Sequence, residues 1–472
     1  MIMALYSLAV RHIKTALLGA IALGFLVSPS LADTLKDAMA LAYQGNPNLL
    51  AARAQLRATD ENVPIALSGW RPTLRLNGQI QRNRSENKIF AGGGVGQVVT
   101  GGVYQRTSES VGVQFTQPVF RGFRTISQTA QARNRVAAQR ALLEATESQV
   151  LLQVSTAYLD VLQNQAVVNL RMNNVQVLTR QLEATNDRFR VGEITRTDVA
   201  QSEANLAGAK ASLVQAEGAL QQARSTYQNV VGKAPENLVR PDLPSFLPDS
   251  LQAAIDIAIA ENPSYLAADY NALAANEAIS LARSDLLPSI QIVGSYNKGW
   301  NTVADKSRSE NVSAVAQVSV PIYQAGAEYA RLRQSKHTAG QQRLLADQAR
   351  LDARNFATAA WENLQATTAA IQSFQSQVSA NEIALEGVQR EAEVGARTVL
   401  DVLEEEQRLL NSRVNLVQAQ RDQVVAAYQL LSAMGMLSGA DMALDVPTYD
   451  YESYFDDVEY QLFGGGVPSI NE

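Results

Sequence analysis

The chain has 472 residues, enough for two or three ordinary domains, and carries a formal charge of −6 with a pI near 5.3. It has no cysteine, and its histidines are His12 and His337, which leaves no material for a disulfide framework, a zinc site or a Cys nucleophile. The acidic balance argues against a nucleic-acid partner, and nothing in the chain calls for a cofactor.

Residues 1–32 read as a secretory signal peptide. Arg11 and Lys14 form a basic start, Ala16 to Val27 is an apolar run, and Ser30-Leu31-Ala32 offers small residues for cleavage. Twelve apolar residues are too few for a helix across a hydrocarbon core of about 30 Å. Removing the segment takes Arg11 and Lys14 with it and leaves a net charge of −8. No later stretch has the run of about 18 apolar residues that a spanning helix needs, so a membrane crossing would have to be made by strands.

The rest of the chain repeats. Residues 34–56 match 250–272 at an offset of 216, which places Asn46-Pro47 on Asn262-Pro263, Pro72 on Pro288 and Gly78 on Gly294. Further on the offset is 203, with Gln114 on Gln317, Pro118 on Pro321, Val191-Gly192 on Val394-Gly395 and Asp198 on Asp401. The first copy therefore has 13 extra residues between its strands, including glycine-rich 91–102. The organisation is a first repeat at 33–232, a Pro-rich linker at 233–249, a second repeat at 250–438 and an acidic, Tyr-rich tail at 439–472. That tail either wraps the helices or is disordered.

In chain order, each repeat opens with a helical run, 34–68 or 250–285. Two alternating segments follow, about 72–83 and 108–119 in the first copy and 288–299 and 310–322 in the second. Leu74, Leu76, Gly78 and Ile80 face away from Thr73, Arg75, Asn77 and Gln79, the period-2 pattern of a strand with one apolar face. A half-buried sheet on a soluble core has the same pattern, but no other segment offers a layer to cover four strands. Lipid would cover them, and a bilayer does not tolerate open sheet edges. The strands therefore call for partner chains, and three protomers give an even count of 12. Pro118 and Pro321 mark the turns from strand to helix.

Next come the long helices. The run from Gly122 to Arg190 has no Pro and no further Gly; as one helix it would be roughly 100 Å long. Its counterpart, about 324–394, is interrupted by Gly326, Gly340 and Gly387. Shorter helices at 195–231 and 398–434 complete the units. In each copy the two short runs, stacked end to end, match the long helix in length and imply a tall wall. The turns 191–199 and 394–402 place Gly192 and Gly395 where a left-handed cap is needed. Thr195 and Thr398 then serve as N-caps, with Asp198 and Asp401 three residues on.

The duplication, "TQPVFRG" (116–122), "SVPIYQAG" (319–326) and "VGARTVLDVL" (394–403) resemble the TolC family of outer-membrane efflux and type I secretion channels. The resemblance implies a mainly α fold with a β-barrel portion: a homotrimeric 12-stranded outer-membrane barrel continuing into a long periplasmic α-helical barrel. It further implies a periplasmic membrane-fusion adaptor, an inner-membrane RND or ABC transporter, and outer-membrane lipid as partners. Matched by motif, the acidic rings of the entrance fall on Asp401 and Glu404, and the gate and turn contacts on Arg397, Thr398, Thr197 and Asp198. Glu404 stands where the family has Asp, and Ala392 where it has a gate Tyr. Asp401 and Glu404, spaced i, i+3, share a helical face, while Glu405 and Glu406 point elsewhere and are expected to be solvated. The first copy does not reproduce this charge, since Gln201 is opposite Glu404 and Ile194 opposite Arg397. The rival reading is a soluble periplasmic coiled-coil adaptor without channel activity. An enzyme is disfavoured because no nucleophile–base set or phosphate loop occurs.

Overall fold

The computed structural model describes residues 34–91 and 98–467. The proposed signal segment, the centre of the glycine-rich stretch and the last five residues lie outside the described residues.

The first repeat begins with α1 (Leu35–Gly45), α2 (Pro47–Asp60) and α3 (Asn62–Leu67), followed by a 3-10 turn. Strands β1 (Thr73–Ala91) and β2 (Val98–Arg121) lead into α4 (Arg124–Arg190) and α5 (Arg196–Val231). The second repeat has α6 (Leu251–Glu261), α7 (Pro263–Ser284), β3 (Ser289–Trp300), β4 (Arg308–Ser319), α8 (Ala327–Glu393) and α9 (Val399–Met434); α10 (Tyr451–Glu459) lies in the tail. The two offsets carry α4 and α5 onto α8 and α9 residue for residue, and Leu74↔Phe115 onto the observed pair Ile290↔Val318. The copies thus share their hairpin register as well as their element order.

Three local expectations change. The opening helical runs are not continuous, because Asn46 and Asn262 each end one helix and cap the next, with Pro47 and Pro263 at the first helical position, where a missing N–H costs nothing. Gly340 and Gly387 lie inside α8 and do not interrupt it, since one helix-interior glycine costs only about 1 kcal/mol. The first hairpin is also longer than the alternation suggested. Its ladder continues to Ala91↔Val98, so residues 85–91 and 98–104 carry both strands beyond their counterparts in the second copy. Valine, isoleucine, tyrosine and phenylalanine among those residues outweigh the glycines in strand preference.

Pro118 is not at the strand-to-helix turn. It sits within β2 beside a bulge, where the register with β3 shifts between Pro118 and Phe120. The turn itself is Gly122-Phe123, both at positive φ, and no side chain fits at Gly122, whose Cβ would fall 2.7 Å from the Ser284 carbonyl oxygen. In the second copy β4 ends at Ser319, so Pro321 lies beyond the strand, and Ala325-Gly326 turn into α8.

The strands make one antiparallel sheet in the order β1-β2-β3-β4. Leu76, Val113, Tyr296 and Val312 form one row across its apolar face, and Asn77, Gly112, Asn297 and Asn311 the next row on the polar face. Among the described residues no layer covers the apolar side: Leu76 is 74 % and Val312 75 % exposed. β1 and β4 are open edges.

The helices form the wall. α4 and α8 each have 67 residues, about 100 Å at 1.5 Å per residue. Beside α4 the short helices meet end to end, and the Asn46 side chain donates to the Val230 carbonyl at 3.0 Å. Asn262 donates to the Ala433 carbonyl at the same distance beside α8. The main core surrounds these joints, with Met39, Leu49, Leu151, Tyr158, Leu430 and Leu431 fully buried. Tyr158 fastens the linker by donating to the Val239 carbonyl at 2.6 Å and accepting from its N–H at 2.9 Å. No described helix is long and apolar enough to cross a membrane.

Candidate functional site

The ends of the two helical hairpins, α4–α5 and α8–α9, are built alike. Gly192 (φ 82°) and Gly395 (φ 76°) follow the long helices in the left-handed region, which a β-carbon would strain. Glu193 N–H donates to the Arg188 carbonyl at 3.0 Å and Ala396 N–H to the Glu391 carbonyl at 2.8 Å, satisfying carbonyls at each helix end. Thr195 and Thr398 then form reciprocal capping boxes with Asp198 and Asp401. The Asp401 carboxylate accepts from the Thr398 N–H and its hydroxyl, both at 2.8 Å. Those two bonds hold Asp401 below the usual carboxylate range. The Thr195 hydroxyl and N–H do the same for Asp198. Thr197, in the first turn of α5, is exposed.

On α9 the apolar side chains decide where the charges go. Val402 packs with Leu385 and Leu409, while Leu403 and Val399 pack with Leu178 and Leu206 of the first hairpin. At 100° per residue, Asp401, Glu404 and Arg408 fall together on the opposite side. Arg408 was not singled out from the sequence, although its i, i+4 spacing from Glu404 was the available signal. Its guanidinium lies 3.7 Å from Glu404 and pairs with Glu405. The acidic stripe is therefore partly compensated within one helix.

The neighbouring acids are not solvated as expected. The Glu405 side chain is only 14 % exposed because it lies under Arg408. Burial pushes the Glu406 carboxyl up, and Gln389 donates to it at 3.2 Å. Arg397 does not reach Asp401 directly; its Nε donates to Glu391 at 2.9 Å, closing the turn between α8 and α9. That bond and the nearby Glu391 charge push the Arg397 guanidinium up. Ala392 packs against the Leu385–Val402–Leu409 cluster. Among the described residues no group of acids and histidines could hold a metal ion.

A sheet with two open edges and a bare apolar face, set on a wall of helices about 100 Å tall, is the architecture of a membrane-channel chain. The chain belongs to the outer membrane efflux protein family, whose model matches residues 38–233 and 254–436. It is 35 % identical over 441 residues to the outer membrane efflux protein BepC of Brucella suis biovar 1, covering 93 % of each chain. It is 29 % identical to the outer membrane protein TolC of Vibrio cholerae, covering 89 % of this chain and 95 % of that one. A solved CusC structure has the same fold, with a TM-score of 0.73 at 19 % identity, covering 86 % of this chain and 92 % of that one. The protein is thus an outer-membrane efflux channel protein of a Gram-negative envelope, reaching into the periplasm, and not an enzyme or a soluble adaptor. Channels of this family act in tripartite efflux or secretion systems with adaptors and transporters.

Proposed function

We propose that three copies of this chain close a 12-stranded barrel in the outer membrane and continue as one helical tube, a passive exit duct whose inner mouth is formed by the hairpin tips. The open edges β1 and β4 carry this reading, because a bilayer leaves unpaired strand edges unsatisfied. The duplication supplies the seam. Within the chain β2 meets β3 through Phe115↔Gly294 and Val113↔Tyr296; shifted by the repeat offsets, these pairs become Val318↔Gly78 and Ala316↔Ile80 of the next copy. That register keeps the apolar face continuous around the barrel, where outer-membrane lipid covers it.

At the mouth, Asp401 and Glu404 form acidic rings, and Arg408 sets a basic ring one helical turn above Glu404. Arg397, through Glu391, holds the α8–α9 turn in shape, with Thr398, Thr197 and Asp198 shaping the tips. A periplasmic membrane-fusion adaptor and an inner-membrane RND or ABC transporter dock on residues around 191–198 and 394–401 and draw the tips apart. The energy comes from that transporter, since this chain carries no phosphate-binding loop.

Planar-bilayer recording tests the mouth. Asp401→Ala with Glu404→Ala should weaken cation selectivity and raise conductance, because rings of acids favour cations. Arg408→Gln should shift the reversal potential the opposite way, towards stronger cation selectivity. Unchanged selectivity in the double variant would remove the acidic rings from the account. Recovery as a soluble monomer, with no heat-modifiable trimer in the membrane fraction, would overturn the duct itself.

A further inference from the structure

The tail from 439 to 461 is strapped along the helical wall by arginines and aromatic rings. The Arg53 guanidinium lies 4.5 Å from the Tyr43 ring and 5.0 Å from that of Tyr449. Arg140 of α4 lies 4.8 Å from the Tyr451 ring and 5.2 Å from that of Phe455, and 3.6 Å from the Glu452 carboxylate. Tyr454 donates to Glu61 at 2.7 Å, and Arg133 pairs with Glu459 at 2.6 Å. Each clasp joins α10, or the segment before it, to α1, α2 or α4.

Beneath this strap is a group that none of those contacts serves. Asp60, the last residue of α2, is 1 % exposed, and neither carboxylate oxygen has a hydrogen-bond partner. The Arg140 Nε is buried and unpartnered as well. The charged or titratable groups facing Asp60 are Glu61, which caps the end of α2, Arg140 from α4 and Tyr454 from α10; Arg57 of α2 acts on Tyr454, and Glu452 of α10 on Arg140. Desolvation outweighs the attraction of Arg140, is reinforced by Glu61, and pushes Asp60 up to about 7.

We propose that Asp60 is a proton-operated latch for the C-terminal strap: protonated, it lets α10 seat on α2, α3 and α4, and ionised, it releases that seat by drawing Arg140 away from Tyr451 and Phe455. A buried carboxylate without donors must find a cation or water. Arg140 is the nearest cation, and it is also what grips the strap through two rings. The two uses compete. Resting on the proposed tube, the strap bridges helices whose spacing sets the circumference of the wall at that level, so its release lets that level widen.

The direction of the pH effect follows from linkage. The seated form binds the Asp60 proton more tightly than the released form, so the strap is firmest at low pH and loosens as pH rises towards 7. One released proton limits the change in the opening equilibrium to about tenfold per pH unit between roughly 4 and 7, with a plateau above.

Hydrogen exchange of the 449–461 backbone in the full-length, detergent-solubilised protein, corrected for intrinsic rates, tests this between pH 5 and 8. Protection should fall by up to about tenfold per unit to pH 7 and then level off, while amides of the α4–α5 hairpin near 191–198 stay constant. Asp60→Asn should keep the strap protected at every pH. Phe455→Leu, which weakens the competing hold on Arg140 while keeping an apolar side chain against Val63, Ala66, Ala132 and Val136, should move the midpoint to lower pH. A pH-independent wild-type strap would overturn the latch, as would Asp60→Asn with the wild-type profile. If Asp60→Asn does not fold, an unmoved midpoint in Phe455→Leu overturns it by itself.

Discussion

α4 and α8 are the same helix twice, 67 residues each and aligned without a gap, yet α4 buries 22 of its residues within the chain and α8 only five. α4 lies between its own repeat and α7 of the next, and its Gln131 side chain donates to the Ala274 carbonyl across that boundary. α8 has no third repeat to follow it. Tyr329, Leu344, Leu351, Phe356 and Ile383 stand exposed along it, from 58 % to 72 %. The pair shows what the duplication leaves undone: in the proposed trimer, what α7 does for α4 falls to another chain at α8.

The largest expected effect comes from placing one charge at the two equivalent positions. Ala141 on α4 is 5 % exposed, and Leu344, its counterpart on α8, is 70 % exposed. Ala141→Asp buries an unpaired carboxylate and should destabilise the protomer by about 3 kcal/mol or more, read as loss of folded protein in the membrane fraction. Leu344→Asp should leave the protomer folded and remove only its association, seen as loss of the heat-modifiable oligomer. Equal behaviour of the two variants would mean that α8 is not covered by another copy.

A disulfide sharpens the same comparison at the strands. The chain has no native cysteine, so a Gly78→Cys, Val318→Cys pair is free of background. Oxidation should link separate chains in good yield, because directly opposed strand residues lie about 5 Å apart at Cα, within disulfide reach. Gly78→Cys with Ala316→Cys, offset by two residues, should link poorly. A reversed preference would replace the proposed register with a slipped one.

The smallest effect is at the tips. Thr195→Ala and Thr398→Ala each remove one capping box and should each cost about 1 kcal/mol of local stability, measured as faster hydrogen exchange in the first turn of α5 or α9. Similar losses at the two sites would show that both boxes act as structural caps. A much larger loss at Thr398 would show that the second tip bears strain that the first does not.

Which features could be read from sequence depended on how far their cause extends along the chain. Gly192, Gly395 and the Thr–x–x–Asp boxes are decided within six residues, and their caps follow from local geometry. Asn46-Pro47 is equally local, since Pro at a first helical position after Asn marks a helix start inside what the composition presents as one helical run. The extended β1–β2 hairpin is hard to read locally because Gly101 and Gly102 stand among its strand-forming residues. Arg408 could have been found from its spacing. Asp60 could not, since its burial depends on Arg140, 80 positions away, and on α10, nearly 400 away. Whether the tail is ordered was undecided for the same reason: its partners Tyr43, Arg53, Arg57 and Arg140 belong to the opposite end of the chain.

The long first hairpin has a consequence for symmetry. Below the Glu109↔Trp300 pair each copy contributes two nearly equivalent hairpins, so a ring of three would look almost sixfold. Above it only β1 and β2 continue, with 98–108 paired to β1 alone. In the proposed trimer the rim at that end would be crenellated, three tall merlons alternating with three low gaps. Anything meeting such a duct from that side would encounter a threefold object, although most of the barrel beneath it would be built on a sixfold plan.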